Sequence, residues 1–447
     1  MFLFHSSHHA DGSVTDDPME LKLREQIYYY WEQEVLMRVN GIIAEYNPFH
    51  NGHIYHMTES QRRTNAEYTV VAMSGNFVQR GAPALVEKYK RAEMALLNGA
   101  DLVLEIPSIF ATASAEYFAT GAVALLNQLG IITDLCFGSE CGNADLLGQI
   151  AQILLDEPED FSQSLKRYLK QGLSYPNARN EALIQHYPFL GQYKNVFSSP
   201  NNILGIEYIK AIHRQESNMS PVTVQRTGAG YHSRLPENNP ASALAIRHAI
   251  YADTDPGFLK NHMPENAADI LVSSLESSGP IRSNDFSDIL YYKLITERDS
   301  GYDKYLDVSA DLSDRICRHL DEYKDFDSFC DLLKSKDMTY TRISRCLLHI
   351  LLNIKSADLD RARTLGIVPY ARALGLRKAA SPLLSRIKES SSIPLVTKLA
   401  DASNVLDKSA YDRLRQDIQI SQIYRGIAAH RMDSVAINEI AIPLVII

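Results

Sequence analysis

Two histidines three residues apart, His50 and His53, enclose Asn51 and Gly52 in the stretch EYNPFHNGH. At i and i+3 on a helix, two imidazoles project from neighbouring turns toward one point. If a helix starts here, its first-turn N–H groups are unpaired and its dipole is positive, so an anion is welcome. Gly52 lets a flat base or a phosphate approach the main chain without a side chain in the way. Two imidazole donors aimed at a phosphorus under attack would stabilise the extra negative charge of a phosphoryl-transfer transition state. The blander roles are a helix cap or a surface residue. Zinc ligation is the other chemistry open to the pair, but nothing nearby completes a ligand set, and no metal ligands are expected.

Such residues need a strand before them and a helix after them. The runs GIIAEY (41–46), YTVVAM (68–73), DLVLEI (101–106) and DLCFG (134–138) read as strands buried on both faces, with PVTVQR (221–226) as a fifth. Helical patterns cover 52–63, 86–98, 112–128 and 201–213, and Gly99 and Gly130 stand where helices should stop. Alternation at this pitch predicts an α/β fold: a Rossmann-like, doubly wound parallel sheet whose ligands bind beyond the carboxyl ends of the strands. The polar stretches NPFHNGH, SGNFVQRG, PSIFATASAEY and GSE follow successive strands, where a nucleotide would lie. Beyond about residue 236 the strand signal fades, predicting a mainly α-helical second domain over 236–447 after an α/β domain over 37–235. The greasy C-terminal IAIPLVII reads as a buried strand.

Composition bounds the remainder. A chain of 447 residues, 45% hydrophobic and 22% charged, can bury two cores. No apolar run approaches the roughly 20 residues of a membrane-spanning helix, so no membrane partner is expected. Cys136, Cys141, Cys317, Cys330 and Cys346 are scattered without metal-ligand spacing, which fits a reducing, cytoplasmic setting. Net charge is −9, but residues 331–400 carry 13 Lys+Arg against 5 Asp+Glu, so that segment is +8 and the remainder −17. An acidic protein with one basic segment can present a local polyanion-binding face. Residues 1–36 lack periodicity joining them to the first strand and are expected to be disordered or not native. Met37 is the expected natural start, because Gln33-Glu34-Val35 can be encoded as CAG-GAG-GTN, which contains a ribosome-binding sequence.

HNGH after a buried strand resembles the HxGH signature of the nucleotidyltransferase superfamily. The longer run GIIAEYNPFHNGHIYH, with MSGNFVQRG, FGSE, SSPNNILGIEYIKAI and RTGAGYHS, resembles the bacterial tRNA(Met) cytidine acetate ligase family from about Met37 to the C-terminus. That family begins at the equivalent of Met37. The resemblance implies two steps. Acetate attacks the α-phosphate of ATP, giving acetyl-adenylate and pyrophosphate; the acetyl group then passes to N4 of the wobble cytidine of elongator tRNA(Met). It implies ATP as co-substrate with Mg²⁺, and His50 and His53 as catalytic residues.

On that reading the ATP is wrapped by Ile43, Ala44, Glu45, Tyr46, Asn47, Pro48 and Phe49 ahead of His50, then by Asn51, Gly52, His53, Ile54, Tyr55 and His56. The matching positions elsewhere are Gly138, Asn201 and Arg226: a strand-end glycine, an amide donor and a planar cation suited to phosphate. Asn202 is chemically as good as Asn201. SSPNNILG stands in the place of the superfamily's late Ser-rich signature but lacks its usual basic residue. For the tRNA, Arg342, Arg345, Arg372, Arg377 and Lys378 are the expected phosphate contacts, with Tyr370 available for stacking. Asp101 and Glu105 flank a strand and read as structural. The alternatives are a nucleotidyltransferase acting on a small phosphorylated metabolite without RNA, and a non-catalytic RNA-binding protein.

Overall fold

The computed structural model of the chain describes residues 37–226, 241–252 and 257–447. The N-terminal extension and most of RTGAGYHS lie outside them. Strands β1 (Val39–Ala44), β2 (Tyr68–Ser74), β5 (Leu102–Ile106), β6 (Asp134–Ser139) and β7 (Ser220–Gln225) pair in parallel, in the spatial order β5-β2-β1-β6-β7. Helices α1 (Asn51–Thr64), α2 (Lys88–Leu97), α3 (Ala115–Asn127), α4 (Ala144–Asp156), α5 (Glu159–Lys170), α6 (Tyr175–His186) and α7 (Pro200–Arg214) run between the strands. The sheet is doubly wound as expected. Its order reverses at β1, so the crevice outside the carboxyl ends of β1 and β6 is the topological switch point where ligands of such sheets bind.

Both faces of the sheet are covered. Val70, Ala72, Leu102 and Leu104 point into one hydrophobic cluster while Val71, Met73 and Val103 point into the other, as the two-residue repeat of a strand requires. This explains why the strands read as continuous apolar runs rather than alternating ones.

Several elements depart from the sequence pattern. β1 ends at Ala44, so Glu45 and Tyr46 leave the sheet; Tyr46 turns the chain with φ +46° and a cis Asn47–Pro48 bond follows. SGNFVQRG begins a small hairpin in which β3 (Phe77–Val78) pairs with β4 (Ala82–Pro83), just beyond it. The helix expected over 112–128 is a single turn at Ser108–Ala111 followed by α3. The second half is mainly helical, yet β8 (Ala371–Leu376) lies antiparallel against β5, and β9 (Leu395–Val396) and β10 (Val445–Ile446) pair with β8. The sheet therefore crosses the 235/236 boundary. β8 escaped the pattern because Ala-Arg-Ala-Leu-Gly-Leu carries no β-branched residue. The C-terminal run is a two-residue edge strand with Ile446 exposed, not a buried one.

Candidate active site

His50 is the N-cap of α1, with extended backbone, and His53 is its third helical residue. The two form a reciprocal capping box. His50 Nδ1 accepts from the Gly52 N–H at 3.0 Å, and His53 Nδ1 accepts from the His50 N–H at 3.2 Å. An imidazole whose Nδ1 accepts carries its proton on Nε2, so both rings retain an Nε2–H donor. The rings lie 3.8 Å apart, centroid to centroid, inclined by 30°. They converge as the i, i+3 spacing predicts. Tyr46 packs edge-on against His53 at 4.8 Å and against Phe49 at 4.9 Å, which accounts for the turn that takes its backbone out of the strand.

Gly52 also makes room for a neighbouring side chain. A Cβ there would lie 2.8 Å from His50 Cε1 and 3.0 Å from Nδ1. The His50 ring folds over the glycine, so the residue that needs the space is the histidine itself.

Burial pushes His50 down to about 3, helped by the nearby charges of Arg226, Arg247 and His262. His53 is held well below its ordinary value by burial, then by His50 and Arg226. His56, one turn further along α1, is lowered to about 4, chiefly by burial, and its Nε2 has no partner among the described residues. Three neutral imidazoles therefore sit in the field of two arginines. A buried cluster of neutral donors beside two cations, which Glu140 and Glu45 only partly offset, suits an anion.

The loop after β6 is locked to α7. Glu140 accepts from the backbone N–H of Asn201 and Asn202 and from Asn201 Nδ2, capping the helix; Asn202 Oδ1 accepts in return from the N–H groups of Glu140 and Cys141. Asn202 is 1% exposed and fully engaged in this clamp, whereas Asn201 is only half-buried. Gly138 lies under the Arg226 side chain, with the position of a Cβ 3.4 Å from Arg226 Cγ. Arg226 thus crosses from the end of β7 over the end of β6, its backbone N–H bonded to Ser139 O. Gly138, Arg226 and the histidines share one end of the sheet.

Two arginines escaped the sequence reading. Arg91 of α2 is fully buried and donates to the carbonyls of Glu45, Ser74, Gly75 and Val86, tying together the carboxyl ends of β1 and β2. Arg247, on the helix Ala243–Tyr251, donates from Nη1 to Asn47 O at 2.5 Å, and burial lowers its pKa against the opposing pull of Glu45. It supplies a cation beside His50 that SSPNNILG lacks. The signal for it was Ser242, which caps that helix through the Ala245 N–H.

The residues expected to meet RNA are not brought together. Arg372 is 2% exposed, ion-paired to Glu105 at 2.8 Å and Glu439 at 2.5 Å, and so is no phosphate contact. Tyr370 is likewise buried, its hydroxyl donating to Asp417, and cannot stack on a base. Arg377, beside Asp101, and Lys378 follow β8, whose antiparallel course puts them at the amino edge of the sheet, opposite the histidines. Arg345 is nearly buried, 3.8 Å from Asp307, while Arg342 is exposed. Asp101 and Glu105 are structural, as read: Asp101 accepts from the Thr69 N–H, and Glu105 from Lys88. Among the described residues no group of three or more His, Cys, Asp or Glu side chains could hold a metal ion, and no helix is long and apolar enough to cross a membrane.

The sequence profile described as HIGH Nucleotidyl Transferase matches residues 37–437. The tRNA(Met) cytidine acetate ligase of Acetivibrio thermocellus is 40% identical over 392 residues, covering 87% of this chain and 94% of that protein. The enzyme of the same name from Halothermothrix orenii is 40% identical over 399 residues, covering 86% and 94%. The crystal structure of Thermotoga maritima TmcAL bound with alpha-thio ATP matches with a TM-score of 0.84 at 30% identity, over 92% of this chain and 100% of that one; its apo form gives 0.86.

Proposed function

From the premise that this chain belongs to the HIGH nucleotidyl transferase family, among the tRNA(Met) cytidine acetate ligases, we propose that it joins acetate to tRNA(Met) at the expense of ATP. The acetate carboxylate attacks the α-phosphorus and pyrophosphate departs, leaving acetyl-adenylate. The exocyclic N4 of the wobble cytidine then attacks the acetyl carbonyl, AMP leaves, and a proton is lost from N4. ATP lies across the ends of β1 and β6, wrapped by Ile43 to His56 and met by Gly138, Asn201 and Arg226. A tRNA substrate supports a cytoplasmic setting.

The observation that carries this reading is the pair of stacked imidazoles with both Nδ1 atoms engaged. Their Nε2–H groups donate to the non-bridging oxygens of the α-phosphate as negative charge accumulates there. Because the rings are neutral at pH 7, they stabilise without surrendering a proton to the leaving pyrophosphate. Arg226 and Arg247 oppose the charge on the triphosphate, Arg247 from the side where it binds Asn47 O. Mg²⁺ would be held by the triphosphate and its own waters rather than by a cage of side chains, and would neutralise charge on the phosphates.

The test is exchange of labelled pyrophosphate into ATP. Exchange that requires acetate and proceeds without tRNA is expected. Absence of exchange across a panel of small carboxylates overturns the reading, and exchange driven by a phosphorylated metabolite instead would make the chain an RNA-independent nucleotidyltransferase.

A further inference from the structure

We propose that the exposed basic face of α5, together with Lys336 and Arg342, forms the track along which the tRNA backbone lies as it enters the site; the inference rests on the tRNA-modifying reading above. The sequence reading placed the RNA contacts within 331–400 and assigned nothing to α5.

A chain of contacts leads there from the histidines. Glu45, five residues before His50, accepts from the Gln79 N–H of the β3–β4 hairpin at 2.9 Å, and Arg80 follows Gln79 in that hairpin. The next residue, Gly81, accepts from Ser344 Oγ at 2.8 Å, and a Cβ on it would sit 2.4 Å from Arg345 N. The helix Tyr340–Leu351 therefore packs against the β3–β4 hairpin, with Arg342 exposed on it. In the turn just ahead of that helix, Lys336 places its Nζ 3.8 Å from where a Cβ of Gly172 would be. Gly172 closes α5, which carries Lys166, Arg167 and Lys170 on its exposed side.

Charge singles out this strip. Residues 161–180 contain Lys166, Arg167, Lys170 and Arg179 and no Asp or Glu. Among the described residues, Lys166, Lys170, Lys336 and Arg342 form no ion pair, while several cations of the +8 segment are neutralised by carboxylates from outside it: Arg345 by Asp307, Arg372 by Glu105 and Glu439, Arg377 by Asp101, Lys398 by Asp401. Lys166 and Lys170 stand at i and i+4, where like charges repel. The helix dipole favours Lys170 in the last turn, but it does not account for Lys166 or for the approach of Lys336 from another segment. A track of unpaired cations on flexible stems reads a phosphate backbone by charge. Tyr175, exposed at the start of α6, offers a stacking face at the same corner.

Lys388 supplies the control. It is also exposed, but its helix, Ser381–Ser390, ends against Gly130 and Gln128, which precede β6 at the amino edge of the sheet. The experiment measures tRNA(Met) dissociation constants across a salt series for the intact protein, for the triple variant K166A/K170A/K336A, and for K388A, with pyrophosphate exchange run on each. The triple variant is expected to bind at least about tenfold more weakly, with the slope of log K against log salt reduced by about 2, and to retain exchange; K388A is expected to match the wild type. Unchanged affinity and slope in the triple variant overturn the proposal, as does equal weakening by K388A or failure of the intact protein to bind tRNA. Tighter binding of polyglutamate than of tRNA, lost in the triple variant, would assign the face to an acidic protein and also overturn it. Absent exchange in the wild type sinks the ligase reading separately, whatever the binding series shows.

Discussion

At the scale of single residues, the histidines make two measurable demands. Replacing His50 or His53 by Ala removes one donor to the transition state and is expected to slow acetate-dependent exchange by about 10²- to 10³-fold, the usual cost of a lost oxyanion donor, while tRNA affinity stays unchanged. The same burial that keeps the rings neutral ties stability to pH. His50 at about 3 and His56 at about 4 take up no proton in the folded protein until the solution is quite acidic, whereas in the unfolded chain they protonate near 6.5. Below about pH 6.5 the unfolded state binds more protons, so stability is complete above that value and falls as pH drops toward 4, by up to about 1.4 kcal/mol per pH unit for each histidine. Denaturant titrations at pH 7.5 and 5.5 should show the loss, and His56→Asn should make it smaller, leaving the share of His50 and His53. Gly52→Ala separates folding from chemistry more sharply. Alanine is the better helix former by about 1 kcal/mol, yet its methyl strikes the His50 ring at 2.8 Å. Exchange should collapse while the melting temperature holds or drops only slightly; retention of full exchange would show that the ring position is immaterial.

The elements were legible where one interaction dominates and illegible where several compete. Parallel strands buried on both faces announce themselves as apolar runs, so β2, β5 and β6 were placed to within a residue or two, and with them the switch point and the histidines. Between β6 and β7 the sequence reading found no helix before 201, though α4, α5 and α6 occupy most of that interval. Their helical repeat is diluted by Gln and Ser and interrupted at Pro158, Pro176 and Pro188, which begin helices rather than break them. Side-chain partners were illegible altogether. A basic residue reads alike in sequence whether it faces water, as Arg342 does, or two buried carboxylates, as Arg372 does, because the partner lies far along the chain. The clamp between Glu140 and α7 is of this kind and has a testable cost. Glu140→Ala removes a side-chain cap of that helix and a carboxylate favoured by its dipole, which should lower stability by about 1 to 2 kcal/mol and raise KM for ATP, since Asn201 then loses its anchor. Unchanged KM with the stability loss would leave Glu140 a purely structural cap.

For the molecule as a whole, what joins the two halves is polar as well as apolar. Beneath the SGN loop, Lys88 and Arg372 face Glu105 and Glu439, all four almost completely buried, with Tyr89 completing the group. Their residues come from α2, β8, β5 and the tail beyond the long helix Lys408–Arg431, and a Cβ on Gly75 would lie 2.4 Å from Glu105 Oε1. The end of the chain is thus wired to the loop that follows β2. Although burial alone would raise the Glu439 carboxyl, Lys88 and Arg372 bring it down to about 2. Its share of stability is therefore present above the unfolded value near 4.3 and is lost as pH falls through 2, so ordinary acidification to pH 5 leaves this group untouched while the histidines respond. Charges buried in balance add little over an apolar core, but breaking the balance is costly. Glu439→Ala leaves two cations facing one carboxylate and should destabilise by about 3 to 5 kcal/mol. The paired replacement R372L/E439L removes one charge of each sign and should recover a good part of that loss in equilibrium unfolding. If the single and double variants are equally unstable, the tail is held by its packing rather than by these charges.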